Sequence, residues 1–190
     1  MDETAASALA PAPDHAVVID GPAGRIEAAC DAAEGSPRGV VAIVCHPLPT
    51  EGGSMHNKVV TMAARALRES GVTTVRFNFR GVGASEGSFD DGEGELDDLR
   101  AVVAWVRQHH AGKRLWLAGF SFGAWVALRG AAELGAQALI SIAPPVGRSW
   151  SFDGIQVPDI PWLVIQGDAD EVVEASAVQA WVDALPNPPQ

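Results

Sequence analysis

The chain has 190 residues, a length that fits one domain with a substantial buried core. Hydrophobic residues make up 47% of it and charged residues 19%, which is typical of a globular, soluble protein. Thirteen basic and 24 acidic residues give a net charge of -11 at pH 7, which repels phosphate backbones and anionic membrane surfaces. We therefore expect neither a nucleic-acid partner nor a membrane partner.

The N-terminal residues 1–14 are rich in alanine and proline, and they predict a flexible tail ahead of a single domain over residues 15–190. Acids stand where a secretory signal has basic residues, so we expect a cytoplasmic protein. Cys30 and Cys45 are too few for a disulfide framework and lack zinc-ligand spacing. Nothing indicates a metal or another cofactor, and we expect a monomer or a small homo-oligomer.

Strand patterns start with "HAVVID" and "GRIEAACDA", which flank "GPAG" and predict an antiparallel hairpin. Nearly unbroken apolar runs follow, and such runs suit strands covered on both faces of a parallel sheet. These runs are "VVAIVC", "LWLAGF", "ALISIA" and "WLVIQ". The stretch "VRFNFR" alternates instead, so the face carrying Arg76, Asn78 and Arg80 must meet polar partners or solvent.

Three segments between the strands have helical periodicity. The clearest runs from Glu95 to Lys113, and its apolar stripe consists of Leu96, Leu99, Val103 and Val106. The segment "NKVVTMAARALRESG" predicts a helix whose inward residues are Val59, Met62, Ala66 and Leu67. A third helix is predicted to start at Val172. Strands that alternate with helices predict a doubly wound, mostly parallel α/β sheet with right-handed crossovers.

The pattern "GFSFG" at residues 119–123 lies between an apolar strand and a helical segment. In this context G-x-S-x-G presents a serine nucleophile, and the two glycines stand where a side chain would crowd the turn. Ser121 could instead be an ordinary N-cap, a position to which serine is well suited. The strand and helix on either side favour the nucleophile.

Two backbone amides are candidates for the oxyanion hole that a serine nucleophile needs. One is the N–H of Phe122, directly after the serine, and the other should come from the loop after the third strand. That loop begins "CHPLP", and since Pro47 has no N–H, Leu48 is the candidate donor. We expect His46 to hold the shape of this loop.

The acid should follow a later strand, and Asp168 and Asp170 both follow "WLVIQ". Either could instead solvate the loop or cap the next helix. The "GVGASEG" loop offers a dinucleotide interpretation, but its third glycine, Gly87, comes one residue late for G-x-G-x-x-G.

These motifs together resemble the α/β-hydrolase superfamily and, within it, the small lidless serine hydrolases. The stretches that carry the resemblance are "HPLPTEGGSMHNKVV", "FNFRGVGASEG", "GFSFG" and G-x-x-D-x-x-V from Gly167, within about residues 15–185. The resemblance implies Ser121 as nucleophile and Asp170 as the acid. It likewise implies Leu48 and Phe122 as the oxyanion donors.

A histidine after the last strand is also implied, and none of the five histidines follows Ser121. His109 and His110 end a helix that leads into the strand before the serine, so they should lie at the opposite edge of the sheet. Three explanations remain: the chain lacks its last strand and helix, His46 or His56 substitutes, or the protein is an inactive relative. We favour the first and expect the base beyond Gln190.

We therefore expect a carboxylesterase-like serine hydrolase that cleaves a carboxylic ester or related acyl bond of a small-molecule substrate through an acyl-enzyme at Ser121. About 15 residues separate the sixth strand from the seventh, too few for a cap domain. The site should be open, with Trp150 and Phe152 as pocket walls or as packing aromatics. The alternatives are a thioesterase or peptidase with the same residues, or a non-catalytic binding or scaffold protein on this fold.

Overall fold

Seven strands form one mixed sheet in the computed structural model, which describes residues 15–189. In chain order they are β1 (Ala16–Gly21), β2 (Gly24–Asp31), β3 (Val40–Cys45), β4 (Thr73–Phe77), β5 (Arg114–Phe120), β6 (Ala138–Ile142) and β7 (Trp162–Ile165). The order across the sheet is β1-β2-β4-β3-β5-β6-β7. The tail predicted over residues 1–14 lies outside the described residues.

The strand directions confirm the predicted doubly wound sheet with its antiparallel hairpin. Strands β1 and β2 are antiparallel and meet at a tight turn in which Gly21 faces Gly24. Strand β2 is antiparallel to β4, and all pairs from β4 through β3, β5 and β6 to β7 are parallel. The carboxyl ends of β3, β5, β6 and β7 therefore lie at one edge of the sheet, where ligands bind in open α/β sheets.

Four helices pack on this sheet: α1 (Lys58–Glu69), α2 (Glu93–His109), α3 (Phe122–Ala131) and α4 (Ala175–Asp183). Helices α2 and α3 share a core with one face of the sheet, and α1 covers part of the other face. The predicted stripe of α2 is confirmed, since Leu96, Leu99, Val103 and Val106 are all buried. None of these helices is long and apolar enough to cross a membrane.

The inward face predicted for α1 is wrong at three of its four positions. The buried residues of this helix are Val60, Ala64 and Leu67. The three misassigned residues, Val59, Met62 and Ala66, line an apolar groove of about 420 Å³ together with side chains of β5, β6 and β7. Helix α1 has two apolar stripes, so its periodicity could not show which stripe packs on the sheet.

The polar side of the "VRFNFR" stretch meets polar partners, as its alternation predicts: Arg76 and Asn78 meet β2, and Arg80 pairs with Asp98 of α2. Arg76 donates to the carboxylate of Asp31 at 3.2 Å, and both side chains are at least nine-tenths buried. Asn78 donates to Glu27 at 2.7 Å. The antiparallel pairing of β2 with β4 brings these groups together across the sheet.

Candidate active site

Ser121 is the single residue between β5 and α3, and its backbone makes a sharp turn. Its φ of 52° and ψ of -120° are unusual for a residue with a side chain. The turn is held by three hydrogen bonds: its N–H donates to the carbonyl of Ile142 at 2.9 Å, and its carbonyl accepts from the N–H groups of Ala124 and Trp125, at 2.8 Å and 3.3 Å. The serine is neither buried nor fully exposed.

The glycines on either side of Ser121 permit this turn. A Cβ on Gly119 would collide with the carbonyl of Gly123, and a Cβ on Gly123 would collide with the carbonyl of Cys45. The first turn of α3 therefore packs directly against the end of β3. This contact explains why the sequence pattern needs small residues on both sides of the serine.

Ser121 lines a cavity of about 530 Å³ at the carboxyl edge of the sheet. Among the predicted site residues, Leu48, Trp150 and Asp170 line the same cavity. Phe152 is not among its lining residues, and its ring packs edge-on against Trp181 at 4.9 Å.

Phe122 contributes its backbone rather than its side chain. The ring is fully buried and packs against Phe79 and Trp150, at centroid distances of 5.8 Å and 5.1 Å. Phe122 is the first residue of α3, so its N–H has no acceptor within the helix. The described residues offer no acceptor to the N–H of Leu48 either. The backbone N–H groups of Leu48 and Phe122, both without an acceptor in residues 15–189, thus lie near the end of β5, which leads into Ser121.

His46 holds the loop that carries Leu48, in the role predicted for it. Its Nε2 accepts from the N–H of Phe79 at 3.0 Å, and its Nδ1 donates to the carbonyl of Pro47 at 2.6 Å. The ring is fully buried, and burial lowers the pKa of His46 to about 4. A histidine with this pKa is neutral at physiological pH, and both ring nitrogens are occupied. It is therefore unsuited to act as the base.

Asp170 is tied down by the backbone that follows it. Its Oδ1 accepts from the N–H groups of Val173 and Val172, at 3.0 Å and 2.8 Å, and Gln166 donates to Oδ2 at 3.3 Å. These bonds to the charged form lower the pKa of Asp170, so it is ionised at neutral pH. The same bonds keep both valines in a turn, so α4 starts at Ala175 rather than at Val172 as predicted.

None of the five histidines lines the cavity at Ser121. His56 lies in a separate groove beside β1 and β2. His109 stacks on Trp105, and His110 lies 3.5 Å from Cys30 Sγ. These two residues precede β5, whereas Ser121 follows it, so they lie at the opposite edge of the sheet, as the sequence predicts.

The family to which the chain belongs follows from comparison with known proteins. The sequence profile of the alpha/beta hydrolase fold matches residues 42–179, which is most of the chain. The chain belongs to the α/β-hydrolase fold family. This match confirms the resemblance that the motifs indicate. Membership in this family supports a hydrolase activity for the chain.

Three relatives show how closely this α/β hydrolase matches known proteins. A crystal structure of an α/β serine hydrolase without a lid, from Xanthomonas campestris, is 60% identical, with a TM-score of 0.90 over 96% of this chain and 84% of that chain. An α/β serine hydrolase homologue from Coxiella burnetii is 46% identical, with a TM-score of 0.87 over 91% and 83% of the two chains. An uncharacterised protein of Rickettsia prowazekii is 39% identical over 177 residues, 90% of this chain and 73% of the relative.

This α/β hydrolase leaves its cavity open. Residues 143–161, which connect β6 to β7, contain neither a helix nor a strand and therefore no cap domain. The sequence reasoning missed several lining residues, among them Glu51, Asn57 and Arg148. Glu51 and Asn57 lie in the motif stretch after β3, whereas Arg148 lies in the connection between β6 and β7, which no motif covers. Loop conformation decides which of their side chains reach the cavity, and periodicity carries no information about it.

Proposed function

We propose that this protein is a serine esterase that hydrolyses a carboxylic ester, or a related acyl bond, through an acyl-enzyme at Ser121. The observation that carries the proposal is the strained turn of Ser121, which opens into the cavity lined by Leu48 and Asp170. A non-glycine residue in this conformation is energetically costly and is retained mainly at functional sites. The match to serine hydrolases supports the proposed chemistry.

In the proposed reaction, Ser121 Oγ forms a bond to the carbonyl carbon of the ester as its proton passes to a base. Negative charge then develops on the carbonyl oxygen, and the N–H groups of Leu48 and Phe122 are the donors that would stabilise it. Cleavage of the carbon–oxygen bond releases the alcohol, which takes the proton from the base. Water then attacks the acyl-enzyme, and the same base accepts and returns a proton.

The base in this proposal is a histidine oriented by Asp170. Residues 15–189 place no histidine in the cavity, so the proposal does not assign the base to any of the five histidines of the sequence. Asp170 suits the orienting role because it is ionised at neutral pH and fixed by two backbone N–H groups. A fixed carboxylate would hold the imidazole in one tautomer and stabilise it when protonated.

We propose that this enzyme acts in the cytoplasm on a small-molecule acyl substrate. We propose that it does so as a monomer or small homo-oligomer. The two cysteines, Cys30 and Cys45, are both unpaired thiols. Burial raises the pKa of each, and in Cys45 the thiol is completely buried. Unpaired thiols are typical of proteins in a reducing compartment, which supports this location.

The proposal is tested by treating the full-length protein with a fluorophosphonate and locating the adduct by mass spectrometry. We expect labelling at Ser121, and no labelling in Ser121→Ala. Turnover of p-nitrophenyl esters with acyl chains of increasing length would then identify the preferred acyl group. Thioesters and peptides test the related acyl bonds with the same residues. Absence of both labelling and turnover in a folded protein would refute the proposal.

A second candidate is a non-catalytic binding protein that retains the hydrolase fold. It is favoured by one observation, the lack of a histidine around the cavity in residues 15–189. In that case small acyl compounds would bind in the cavity without turnover. Ser121→Ala would retain this binding, which isothermal titration calorimetry would measure.

A further inference from the structure

The cavity at Ser121 has one cationic lining residue, Arg148, among the described residues. Its other charged lining residues are Glu51 and Asp170, and the proposed mechanism uses only Asp170. Leu48, Pro145, Trp150 and Val172 supply apolar wall. A single cation beside apolar wall and next to a nucleophile is a feature that ester hydrolysis alone does not require.

The loop that carries Arg148 is fixed by the protein core. Trp150 packs against Phe122 at 5.1 Å, and Trp125 Nε1 donates to the carbonyl of Ser151 at 2.9 Å. The N–H of Arg148 itself donates to the carbonyl of Pro145 at 3.2 Å. The backbone of Arg148 is thus held beside the cavity, while its side chain remains exposed.

Within residues 15–189 the guanidinium of Arg148 has no acid partner, in contrast to most arginines there. Arg80 is paired with Asp98 at 2.8 Å, and Arg129 donates to Glu93 at 2.6 Å. In residues 15–189 no hydrogen bond or ion pair engages the side chain of Arg148. The chain has 24 acidic and 13 basic residues, so an unpaired arginine at the mouth of a cavity stands out against its acidic surroundings.

We infer that Arg148 recognises a carboxylate on the substrate, so that the preferred esters carry a negative charge on the acyl chain. This inference rests on the proposed esterase function and names its substrate class. A planar guanidinium forms two parallel hydrogen bonds to a carboxylate and thereby favours it over a neutral chain end of similar size. Glu51 opposes this preference, because its carboxylate lines the same cavity and repels an anion.

The test compares two esters with the same leaving group and the same acyl length, p-nitrophenyl hemiadipate and p-nitrophenyl hexanoate. The measured quantity is the ratio of kcat/KM for the anionic ester to kcat/KM for the neutral ester, in the full-length protein. We expect Arg148→Gln to lower this ratio about tenfold and Arg148→Lys to lower it less. Glu51→Gln should raise the ratio, and added salt should lower it in the wild type.

Arg65→Gln is the matched control, because Arg65 pairs with Glu69 on the exposed surface of α1 and does not line the cavity. It should leave both rates unchanged. A wild-type ratio that is insensitive to salt and to Arg148→Gln would overturn the inference and leave the esterase function intact. An equal fall for both esters would also overturn it, since Arg148 would then only support the loop. Turnover of neither ester would overturn the esterase function together with the inference.

Discussion

Ser121 keeps a side chain where the backbone would favour glycine. Its φ of 52° lies in the left-handed region, where a Cβ is crowded, and such residues cost roughly 1–3 kcal/mol. The hydrogen bonds from the turn to Ile142 and Ala124 hold this conformation against the strain. The side chain at this position is therefore retained at a cost in stability.

Substitutions of Ser121 should separate the effect of backbone strain on stability from the role of the hydroxyl in the reaction. We expect Ser121→Gly to raise the free energy of unfolding by about 1 kcal/mol, because glycine adopts the conformation without strain. Ser121→Ala keeps the Cβ and should change it by less than about 0.5 kcal/mol. Both variants should lose fluorophosphonate labelling. Urea unfolding measures the stability, and an equal effect of the two substitutions would contradict the assignment of strain.

His46 should make stability depend on pH between its folded and unfolded pKa values. The pKa is about 4 in the folded protein, below the ordinary value of 6.5, so between these values the unfolded state binds more protons. Stability therefore falls as pH is lowered from about 6.5 towards 4, by on the order of 3 kcal/mol in total. In His46→Gln this part of the pH dependence should disappear.

Urea unfolding of wild type and His46→Gln at several pH values between 7 and 4 measures this difference. At pH 7 the variant should itself be less stable, by roughly 1–3 kcal/mol, because buried hydrogen-bonding groups lose their partner. Parallel pH profiles for the two proteins would show that His46 does not titrate in this range.

At the scale of elements, the regular structure was predictable where each strand or helix could be assigned from its own residues. Apolar runs predicted β3, β5, β6 and β7, and one apolar stripe predicted α2. The predictions that were wrong concern features that depend on contacts with residues elsewhere in the chain. Met62 is 60% exposed because its stripe of α1 lies beside an uncovered sheet face, and a helical pattern cannot indicate that. Asp170 delays the start of α4 through hydrogen bonds that the pattern does not encode.

The candidate site was predictable to the same extent. Ser121, Leu48 and Asp170 were found because motifs fix their positions at strand ends, and the structure brings them to one cavity. Phe152 was predicted as a pocket wall or a packing aromatic from its place between the sixth and seventh strands, and its ring packs on Trp181. Glu51 ends a single 3₁₀ turn (Pro49–Glu51) and Arg148 lies in an irregular loop, and the directions of both side chains follow from tertiary contacts.

The contact between α3 and β3 should tolerate no added atom. Gly123→Ala would drive a Cβ into the carbonyl of Cys45, and we expect a loss of about 3 kcal/mol or more in the free energy of unfolding. Labelling of Ser121 should fall as well, since the turn would shift. Gly167→Ala is the matched control, because its Cβ would meet nothing within 4 Å and its φ is not positive. Thermal unfolding of both variants measures the difference, and similar melting temperatures would contradict it.

The ion pair between β2 and β4 should contribute strongly to the free energy of unfolding because it is buried. Asp31→Ala removes the carboxylate that lies 3.2 Å from the guanidinium of Arg76, whose side chain is 3% exposed. We expect a loss of roughly 3–5 kcal/mol in the free energy of unfolding. Glu69→Ala breaks an exposed pair with Arg65 and should cost less than about 1 kcal/mol. Equal losses in chemical denaturation would show that burial does not decide the effect.

At the scale of the whole molecule, the helices cover the two faces of the sheet unequally. One face carries α2 and α3, and the other carries α1 beside an apolar groove in which Leu163 and Ile165 of β7 are 42% and 46% exposed. Apolar surface of this kind on an edge strand promotes association.

We expect the 190-residue chain to bind a hydrophobic dye such as ANS and to associate as its concentration rises. Met62→Gln combined with Ile165→Thr should reduce both effects, because the two substitutions make opposite walls of the groove polar. Dye fluorescence and light scattering measure them. Thr61→Gln on the same helix is a control, since Thr61 does not line the groove. Unchanged dye binding in the double variant would contradict this role of the groove.

The loop between β6 and β7 closes nothing over the cavity, and this has a consequence for product distribution. An acyl group held on Ser121 would be open to solvent, because residues 143–161 contain no helix or strand that could cover the cavity. Small alcohols would then compete with water for the acyl group. In aqueous methanol the proposed esterase should form methyl esters beside free acid, in a proportion that rises with methanol content. Transfer of the acyl group to alcohols would therefore be a side reaction of the proposed esterase.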